Sequence, residues 1–193
     1  MNTLLRTPRL LIEPPMTIAA ANAWATLEER QRAETFGNER RRREFLTWRA
    51  IIRRELGRDI RIAYNEVGAP VLPDGEAFIA VAHCADRVAV CLSPNRCAVD
   101  IECADRDFTR AASRFLTPSE AVLADDPHWP GFVWCAKETL YKYAGRRNLD
   151  FREDLRIVSA DLAAGRIIGR IGDEPPLELA ARCIGGCLVT AIL

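Results

Sequence analysis

The sequence is poor in lysine and histidine, carries no net charge and contains no long apolar run. Arginine supplies all but two of the 27 lysine and arginine residues, and histidine occurs only twice. A net charge of zero leaves no whole-molecule field that would draw the chain onto nucleic acid or an anionic membrane. No apolar segment approaches the roughly 20 residues of a membrane-spanning helix. We therefore expect neither nucleic acid nor a membrane among its partners.

The sequence also lacks the cysteine spacing of a zinc site. Seven cysteines are present, but no two of them form a CxxC motif. An odd number of cysteines without that spacing is not typical of a zinc site or of a disulfide framework. The N-terminus shows no basic segment followed by an apolar run, which is the pattern of a signal peptide. We expect reduced, mostly buried thiols in a cytoplasmic protein.

The length of 193 residues allows one large domain or two small halves with a hydrophobic core. Helical patterns at residues 17–32, 37–56 and 132–144 are separated by short apolar runs that are typical of strands. Turn residues around Asp86 and around Gly185 predict two hairpins. The likeness of these two hairpins hints at two similar halves.

The two lysines lie together in the segment Trp134–Lys142, WCAKETLYK, within the helix that we predict at residues 132–144. Glu138 and Lys142 are four residues apart and share one face of that helix, and Lys137 lies on the adjoining face. The compact ammonium of lysine and the planar fork of arginine are not equivalent at a phosphate. We therefore interpret lysines that are confined to one helix as functional. The alternative is a solvated surface pair.

A second segment, CAVDIE at residues 97–102, is typical of a β-strand. Side chains alternate along a strand, so Asp100 and Glu102 share one face, opposite the apolar side chains. Two carboxylates on one face repel each other unless water or a cation lies between them. Together with Glu138 they would form an all-oxygen site of the kind that Mg²⁺ prefers. An exposed acidic pair on an edge strand is the alternative.

The predicted helix at residues 37–56 is rich in arginine. Arg42, Arg49 and Arg53 lie beside its apolar stripe, from where they could reach a ligand along the helix. Equally, their stems could cover apolar surface with the charged heads in water. Nucleic acid is a weaker interpretation, because three glutamates dilute the charge of this helix. His83, at the end of a predicted strand, is either a hydrogen-bonded structural residue or a contact for an anion.

The two segments occur together as AVDIE at Ala98–Glu102 and WCAKETLYK at Trp134–Lys142. In this combination the chain resembles phosphopantetheinyl transferases of the surfactin-synthetase-activating type, over about residues 40–193. Further segments in the same order support the resemblance, namely RRREFLTWRAIIRREL, GAP (Gly68–Pro70), AHC (Ala82–Cys84) and FLTPSE (Phe115–Glu120). The resemblance implies transfer of the 4′-phosphopantetheine arm from coenzyme A to a serine of an acyl or peptidyl carrier protein. The reaction depends on Mg²⁺ and releases 3′,5′-ADP.

The resemblance also implies a fold. It is an α+β pseudo-dimer of two similar halves, each with helices packed on a small, mainly antiparallel sheet. The halves would comprise residues 1–97 and 98–193, with the active site in the cleft between them. Two halves in one chain make a monomer the expected state.

Roles follow from the resemblance by position. Asp100, Glu102 and Glu138 match the Mg²⁺ ligands, and Glu138 also matches the base that activates the serine. Lys142 matches the lysine that contacts the coenzyme phosphates, so Glu138 and Lys142 are the expected catalytic residues. The residues expected to contact coenzyme A are Arg49, Arg53, Gly68, Pro70, His83, Asp100, Lys137 and Lys142. A basic row formed by Arg106, Arg110 and Arg114 could attract an acidic carrier protein.

The chain departs from the family pattern at three places. Ala69 replaces the lysine of GKP, AHC replaces SHS, and Trp48 stands where glycine is common. These changes favour, as the alternative, a weakly active or inactive module that binds carrier protein or nucleotide. The segment TPRLLIEP resembles the start of some acetyltransferases, but the only candidate for their pyrophosphate loop is a poor match at residues 166–171. An acetyltransferase that uses acetyl-CoA is the weaker alternative.

Overall fold

The computed structural model describes residues 5–57, 60–73, 75 and 77–193. The elements before residue 97 are β1 (Arg9–Glu13), α1 (Ile18–Asn22), α2 (Leu27–Glu34), α3 (Glu39–Leu56), β2 (Ala63–Tyr64), β3 (Pro70–Val71), β4 (Phe78–His83) and β5 (Val88–Ser93). After it follow β6 (Ala98–Cys103), a 3₁₀ helix (Thr109–Arg114), α4 (Pro118–Ala121), α5 (Trp129–Ala144), β7 (Leu155–Asp161), β8 (Arg166–Ile171), β9 (Leu177–Ile184) and β10 (Cys187–Ile192).

The elements before residue 97 build a three-stranded antiparallel sheet with the order β1-β5-β4, called the first sheet below. Helix α3 covers one face of it, where Trp48, Ile51 and Ile52 pack against alternate side chains of β5. The central strand β5 is buried along its whole length because both of its faces are covered. This explains why its sequence is a continuous apolar run without alternation.

The elements after residue 97 build the second sheet, which is antiparallel with the order β6-β10-β9-β8-β7. Helix α5 packs on one of its faces through Phe132, Val133 and Leu140. The helix lies so close to the strands that a Cβ added at Gly169 of β8 would stand 2.7 Å from Leu140 Cδ1. Glycine at this position therefore allows the close approach of helix and sheet.

The other faces of the two sheets meet in a shared apolar cluster, which we call the seam. From the first sheet it contains small residues of β4 and β5, and from the second it contains Val99 and Ile101 of β6 and alternate residues of β10. The layers therefore run from α3 through the first sheet and the second sheet to α5. Because β6 alternates, the residues between its seam residues, Asp100 and Glu102, face α5.

The structure confirms an α+β architecture with antiparallel sheets, and it confirms both predicted hairpins. The helix predicted at residues 17–32 is wrong in one respect, because it is divided into α1 and α2. Thr26 caps α2 with a reciprocal capping box to Glu29, and this box begins a new helix. Between α3 and β4, the short strands β2 and β3 pair with each other in antiparallel orientation. Among the described residues, no helix combines the length and apolar character needed to cross a membrane.

Candidate active site

The side chain of Asp100 connects β6 to α5. Lys142 Nζ donates to Asp100 Oδ1 at 2.7 Å and to the carbonyl oxygen of Val99 at 3.2 Å. Asp100 is 7% exposed, and its second oxygen, Oδ2, is buried without a hydrogen-bond partner. An unsatisfied buried carboxylate oxygen is unfavourable. Asp100 Oδ2 is therefore a candidate contact for a ligand or a cation.

Glu102 lies on the same face of β6 and is held at both oxygens. Trp134 Nε1 donates to Glu102 Oε1 at 2.7 Å, and Arg106 Nη1 donates to Oε2 at 2.7 Å. The Trp134 ring is fixed by edge contact with Phe115 and by stacking on Phe151. The strand and the helix therefore orient this carboxylate together.

Glu138 of α5 completes the acidic group. Burial raises the pKa of the Glu138 carboxyl, and the neighbouring charges of Asp100 and Glu102 raise it further, while Lys142 and Arg106 lower it. Glu138 on α5 is therefore close enough to Asp100 and Glu102 for their charges to raise its pKa. A carboxylate with a raised pKa is a stronger proton acceptor, which is what a general base requires.

The donor chemistry of these acids fits Mg²⁺, which takes carboxylate oxygens together with water and phosphate. The unsatisfied Oδ2 of Asp100 supports the fit. In the part of the chain that the structure describes, no group of three acidic, histidine or cysteine side chains is already arranged to hold a metal ion. Lys142 and Arg106 instead neutralise Asp100 and Glu102. A bound cation would replace these two side chains in balancing the negative charge of the carboxylates.

A cavity of about 490 Å³ lies beside this acidic group. Gly68 and Pro70 line it from the turn between β2 and β3, and Lys142 lines it from α5. Asn65 shapes the turn by accepting hydrogen bonds from two backbone amides, and Gly68 takes the positive φ of 87° that the turn requires. The cavity therefore brings together three residues predicted to contact coenzyme A, with Gly68 and Pro70 more than 70 positions before Lys142 in the chain.

Residues 96–184 match the sequence model of the 4′-phosphopantetheinyl transferase superfamily. The matched part is slightly less than half of the chain. It contains all three acids, Lys142 and both motifs from which the resemblance was inferred, so the resemblance is confirmed at the level of the superfamily. None of the curated proteins compared with the chain matches it. The surfactin-synthetase-activating type stays a prediction.

Two arginines that line the same cavity, Arg146 and Arg147, were missed by the sequence reasoning. They directly follow α5, where Gly145 ends the helix in the left-handed conformation. Arg146 pairs with Glu174 and Arg147 donates to the carbonyl oxygen of Glu66, and with Lys142 they give the cavity three cationic side chains, which suits an anionic ligand. Their position immediately after the lysine helix was the signal that could have identified them.

His83 occupies a different cavity, of about 400 Å³, together with Asn38, Arg40, Arg41 and Glu44. It is half-exposed at the end of β4, and its Nδ1 lies 3.4 Å from Glu44 Oε2. The structure thus places His83 beside two arginines, but not in the cavity that Gly68 and Lys142 line. Its predicted contact with the ribose 3′-phosphate stays a prediction.

Arg49 and Arg53 line a third cavity, of about 850 Å³, between α2, α3 and Tyr64. Both side chains are 3% exposed. Arg53 donates to both oxygens of Glu29, at 2.6 and 2.8 Å, and Arg49 donates to the Tyr64 hydroxyl. These bonds tie α2 to α3, which is a structural role. Contact with coenzyme A, as predicted, would have to compete with Glu29 for these guanidinium groups.

Lys137 is also held in the protein interior by hydrogen bonds. It has no exposed surface, and its ammonium donates to Phe115 O, Phe151 O and Glu120 at 2.7 to 2.9 Å. Glu120 accepts a further hydrogen bond from the Ile157 amide. All three ammonium hydrogens are therefore used, and the predicted contact of Lys137 with coenzyme A would require one of these bonds to break. The same contacts give Glu120 a structural role away from the acidic group.

Proposed function

We propose that this protein transfers the 4′-phosphopantetheine arm of coenzyme A to a serine of an acyl or peptidyl carrier protein, with Mg²⁺ and release of 3′,5′-ADP. We further propose that it acts as a cytoplasmic monomer of two α+β halves, residues 1–97 and 98–193, with the reaction in the cleft between them. The observation that carries the proposal is the pairing of Asp100 with Lys142 beside a cavity lined by residues from both parts of the chain, with Glu138 near enough to Asp100 and Glu102 for their charges to interact.

Asp100, Glu102 and Glu138 are the residues that would hold Mg²⁺. When bound, the ion would neutralise the coenzyme pyrophosphate and stabilise the departing phosphate. Lys142 is about one-third exposed and reaches both Asp100 and the cavity, so it can neutralise a phosphate there. The Glu138 carboxylate would accept the proton of the carrier serine, which is a poor nucleophile without a base.

Intact-mass measurement of apo carrier proteins tests the proposal. The purified protein, coenzyme A and Mg²⁺ are expected to add the mass of the arm to at least one carrier of a panel that includes fatty-acid, polyketide and peptide types. Glu138→Gln is expected to abolish the gain, and Glu153→Gln, at an exposed position on the loop before β7, is the matched control. Folded wild-type protein that modifies no carrier would refute the activity.

A binding module without turnover is the second candidate. Pairing of Asp100 with Lys142 and of Glu102 with Arg106 favours it, because both acids are already neutralised. Ala69 also lines the cavity where the family pattern has lysine. Calorimetry separates the candidates, since a binding module shows heat with carrier protein or nucleotide while the carrier mass stays unchanged.

An acetyltransferase is not favoured by the structure. Residues 166–171, the poor match to a pyrophosphate loop, form strand β8, which is paired with β7 on one side and β9 on the other. A strand whose backbone is paired on both sides has no free amides to hold a phosphate. Consumption of acetyl-CoA without Mg²⁺ would be the result that revives this alternative.

A further inference from the structure

Three cysteines from distant parts of the sequence meet at one end of the seam. Cys84 follows β4, Cys103 ends β6 and Cys187 begins β10. The sulfur atoms of Cys84 and Cys187 are 3.7 Å apart, although 103 positions separate the two residues in the chain. Cys84 belongs to the first half and Cys187 to the second, so this contact crosses between the two sheets.

The cluster can be reached from solvent. A cavity of about 810 Å³ opens at this end of the seam, and both Cys103 and Cys187 line it. The tips of the two hairpins, residues 85–87 and 185–186, form its rim. Cys84 and Cys187 are 6% and 3% exposed, whereas Cys103 is partly exposed. A small oxidant in the cavity can therefore contact Cys187 in the cavity lining, with Cys84 next to it.

We propose that Cys84 and Cys187 are an oxidation site, at which a peroxide forms a reversible disulfide that joins the two sheets. The Cys187 thiolate attacks a peroxide oxygen, so that an S–O bond forms, the O–O bond breaks and hydroxide leaves as water. The Cys84 thiolate then attacks the resulting sulfenic sulfur and displaces a second hydroxide, which also leaves as water. Two thiols lose two electrons in total, and the peroxide is reduced to two waters.

The geometry needs only a small adjustment. The sulfurs have to approach from 3.7 Å to a bond length of about 2.05 Å, which side-chain rotation can supply at the end of a strand and a hairpin. The disulfide would close a loop of about 100 residues, and long loops gain most from such a cross-link in the chain-entropy model. For a chain of this size we expect the melting temperature to rise by about 5–15 °C on oxidation.

Burial raises the pKa of the Cys84, Cys103 and Cys187 thiols, so few thiolates are present at neutral pH. The rate of oxidation should therefore increase with pH. The charged and titratable groups that line the cavity beside the cluster come from α3, the hairpin between β4 and β5, the segment after β6 and the loop before α5, and are Arg40, Arg43, Asp86, Arg87, Asp105 and His128.

The test treats the full chain with hydrogen peroxide at pH 7 and pH 8.5 and maps unreduced peptides by mass spectrometry. A Cys84–Cys187 cross-link, faster formation at pH 8.5 and a higher melting temperature that dithiothreitol reverses are the expected results. Cys84→Ser and Cys187→Ser should each remove the cross-link. Cys183→Ser, at an exposed position of β9 opposite Leu188, is the matched control and should retain it.

Peptide mapping of the wild-type protein shows whether the Cys84–Cys187 cross-link forms, even if a serine variant fails to fold. Oxidation that stops at sulfenic or sulfinic acid, or that pairs Cys103 with either partner instead, would overturn the proposal. Cys103→Ser is expected to keep the cross-link, and its loss in that variant would overturn the direct route. None of these outcomes depends on the proposed transferase activity, because no coenzyme A or carrier protein takes part.

Discussion

The indole of Trp134 and the guanidinium of Arg106 donate to opposite oxygens of the Glu102 carboxylate. Trp134→Phe retains an aromatic ring between Phe115 and Phe151 but removes the N–H donor. Glu102 is a proposed Mg²⁺ ligand, and groups that orient a metal ligand typically contribute 10- to 100-fold to metal affinity or activity. We expect Trp134→Phe to weaken Mn²⁺ binding by about 10-fold, as measured by electron paramagnetic resonance with Mn²⁺ in place of Mg²⁺.

Trp129→Phe is the matched control for this prediction. Trp129 begins the same helix, and its indole donates to the backbone oxygen of Glu120, away from the acids. Its loss should lower stability and leave Mn²⁺ affinity unchanged. Equal weakening of Mn²⁺ binding in both variants would show that the Trp134 effect comes from general loosening of α5.

The raised pKa of Glu138 makes a prediction about stability as well as about activity. Its causes are burial and then the charge of Asp100, opposed by Lys142, with Glu102 adding a smaller effect. A carboxyl whose pKa is higher in the folded state binds its proton more tightly when folded. Stability is then greatest below the unfolded pKa of about 4.3 and falls as the pH rises through the folded value.

Glu138→Gln removes the ionised form of this carboxyl. The variant should be more stable than the wild type at pH 8, where Glu138 is ionised, and nearly equal to it at pH 4. Urea unfolding at pH 4, 6 and 8 without divalent cations measures the difference. A gap that stays constant over this range, or a less stable variant at pH 8, would contradict burial of a charged Glu138.

At the scale of elements, the buried pair of Lys137 and Glu120 joins α4, α5, β7 and the segment before β7. Lys137 Nζ lies 2.8 Å from Glu120 Oε1, and both side chains are almost fully buried. Breaking a buried ion pair from one side typically costs 3–5 kcal/mol because a charge is left uncompensated. We expect Lys137→Met to lower the free energy of unfolding by about 3–5 kcal/mol, as measured by urea denaturation.

The double variant Lys137→Met with Glu120→Gln tests the cause of that loss. It leaves no uncompensated charge, so it should be more stable than Lys137→Met alone. If Lys137 instead served only a ligand, the single variant would unfold at the wild-type urea concentration.

The elements that could be predicted from sequence are those with local signals. The hairpins at Asp86 and Gly185 form as predicted, and α3 lies within the helix predicted at residues 37–56. The division of α1 from α2 also had a local signal, the capping box of Thr26 and Glu29, which a continuous helical pattern concealed. Helical periodicity and turn residues therefore predicted most of the framework.

The site was predictable only in part, because some roles depend on contacts between distant segments. Alternation along β6 correctly placed Asp100 and Glu102 on one face. By contrast, the roles of Arg49 and Arg53 depend on Glu29, which lies 20 or more positions away on another helix. Helical spacing shows which face an arginine occupies, but the partner that neutralises it is known only once the helices have packed.

At the scale of the whole molecule, the seam determines whether the two halves can be separated. Its cluster draws on both sheets, with Ala80, Ala82 and Cys91 from the first and Val99, Ile101 and Val189 from the second. Either half alone would expose this apolar face to water. We therefore expect the chain to unfold in one cooperative transition, even though its elements divide cleanly at residue 97.

The distribution of tryptophan allows each half to be followed separately. Trp24 and Trp48 lie in the first half, and Trp129 and Trp134 lie in the second. A variant in which the first pair is phenylalanine reports on the second half, and the opposite variant reports on the first. Within each variant, fluorescence and circular dichroism should give the same urea midpoint, because loss of either half uncovers the seam. Fluorescence and dichroism midpoints that differ within one variant would show that one half survives without the other, and the seam would then be a contact between two independent domains.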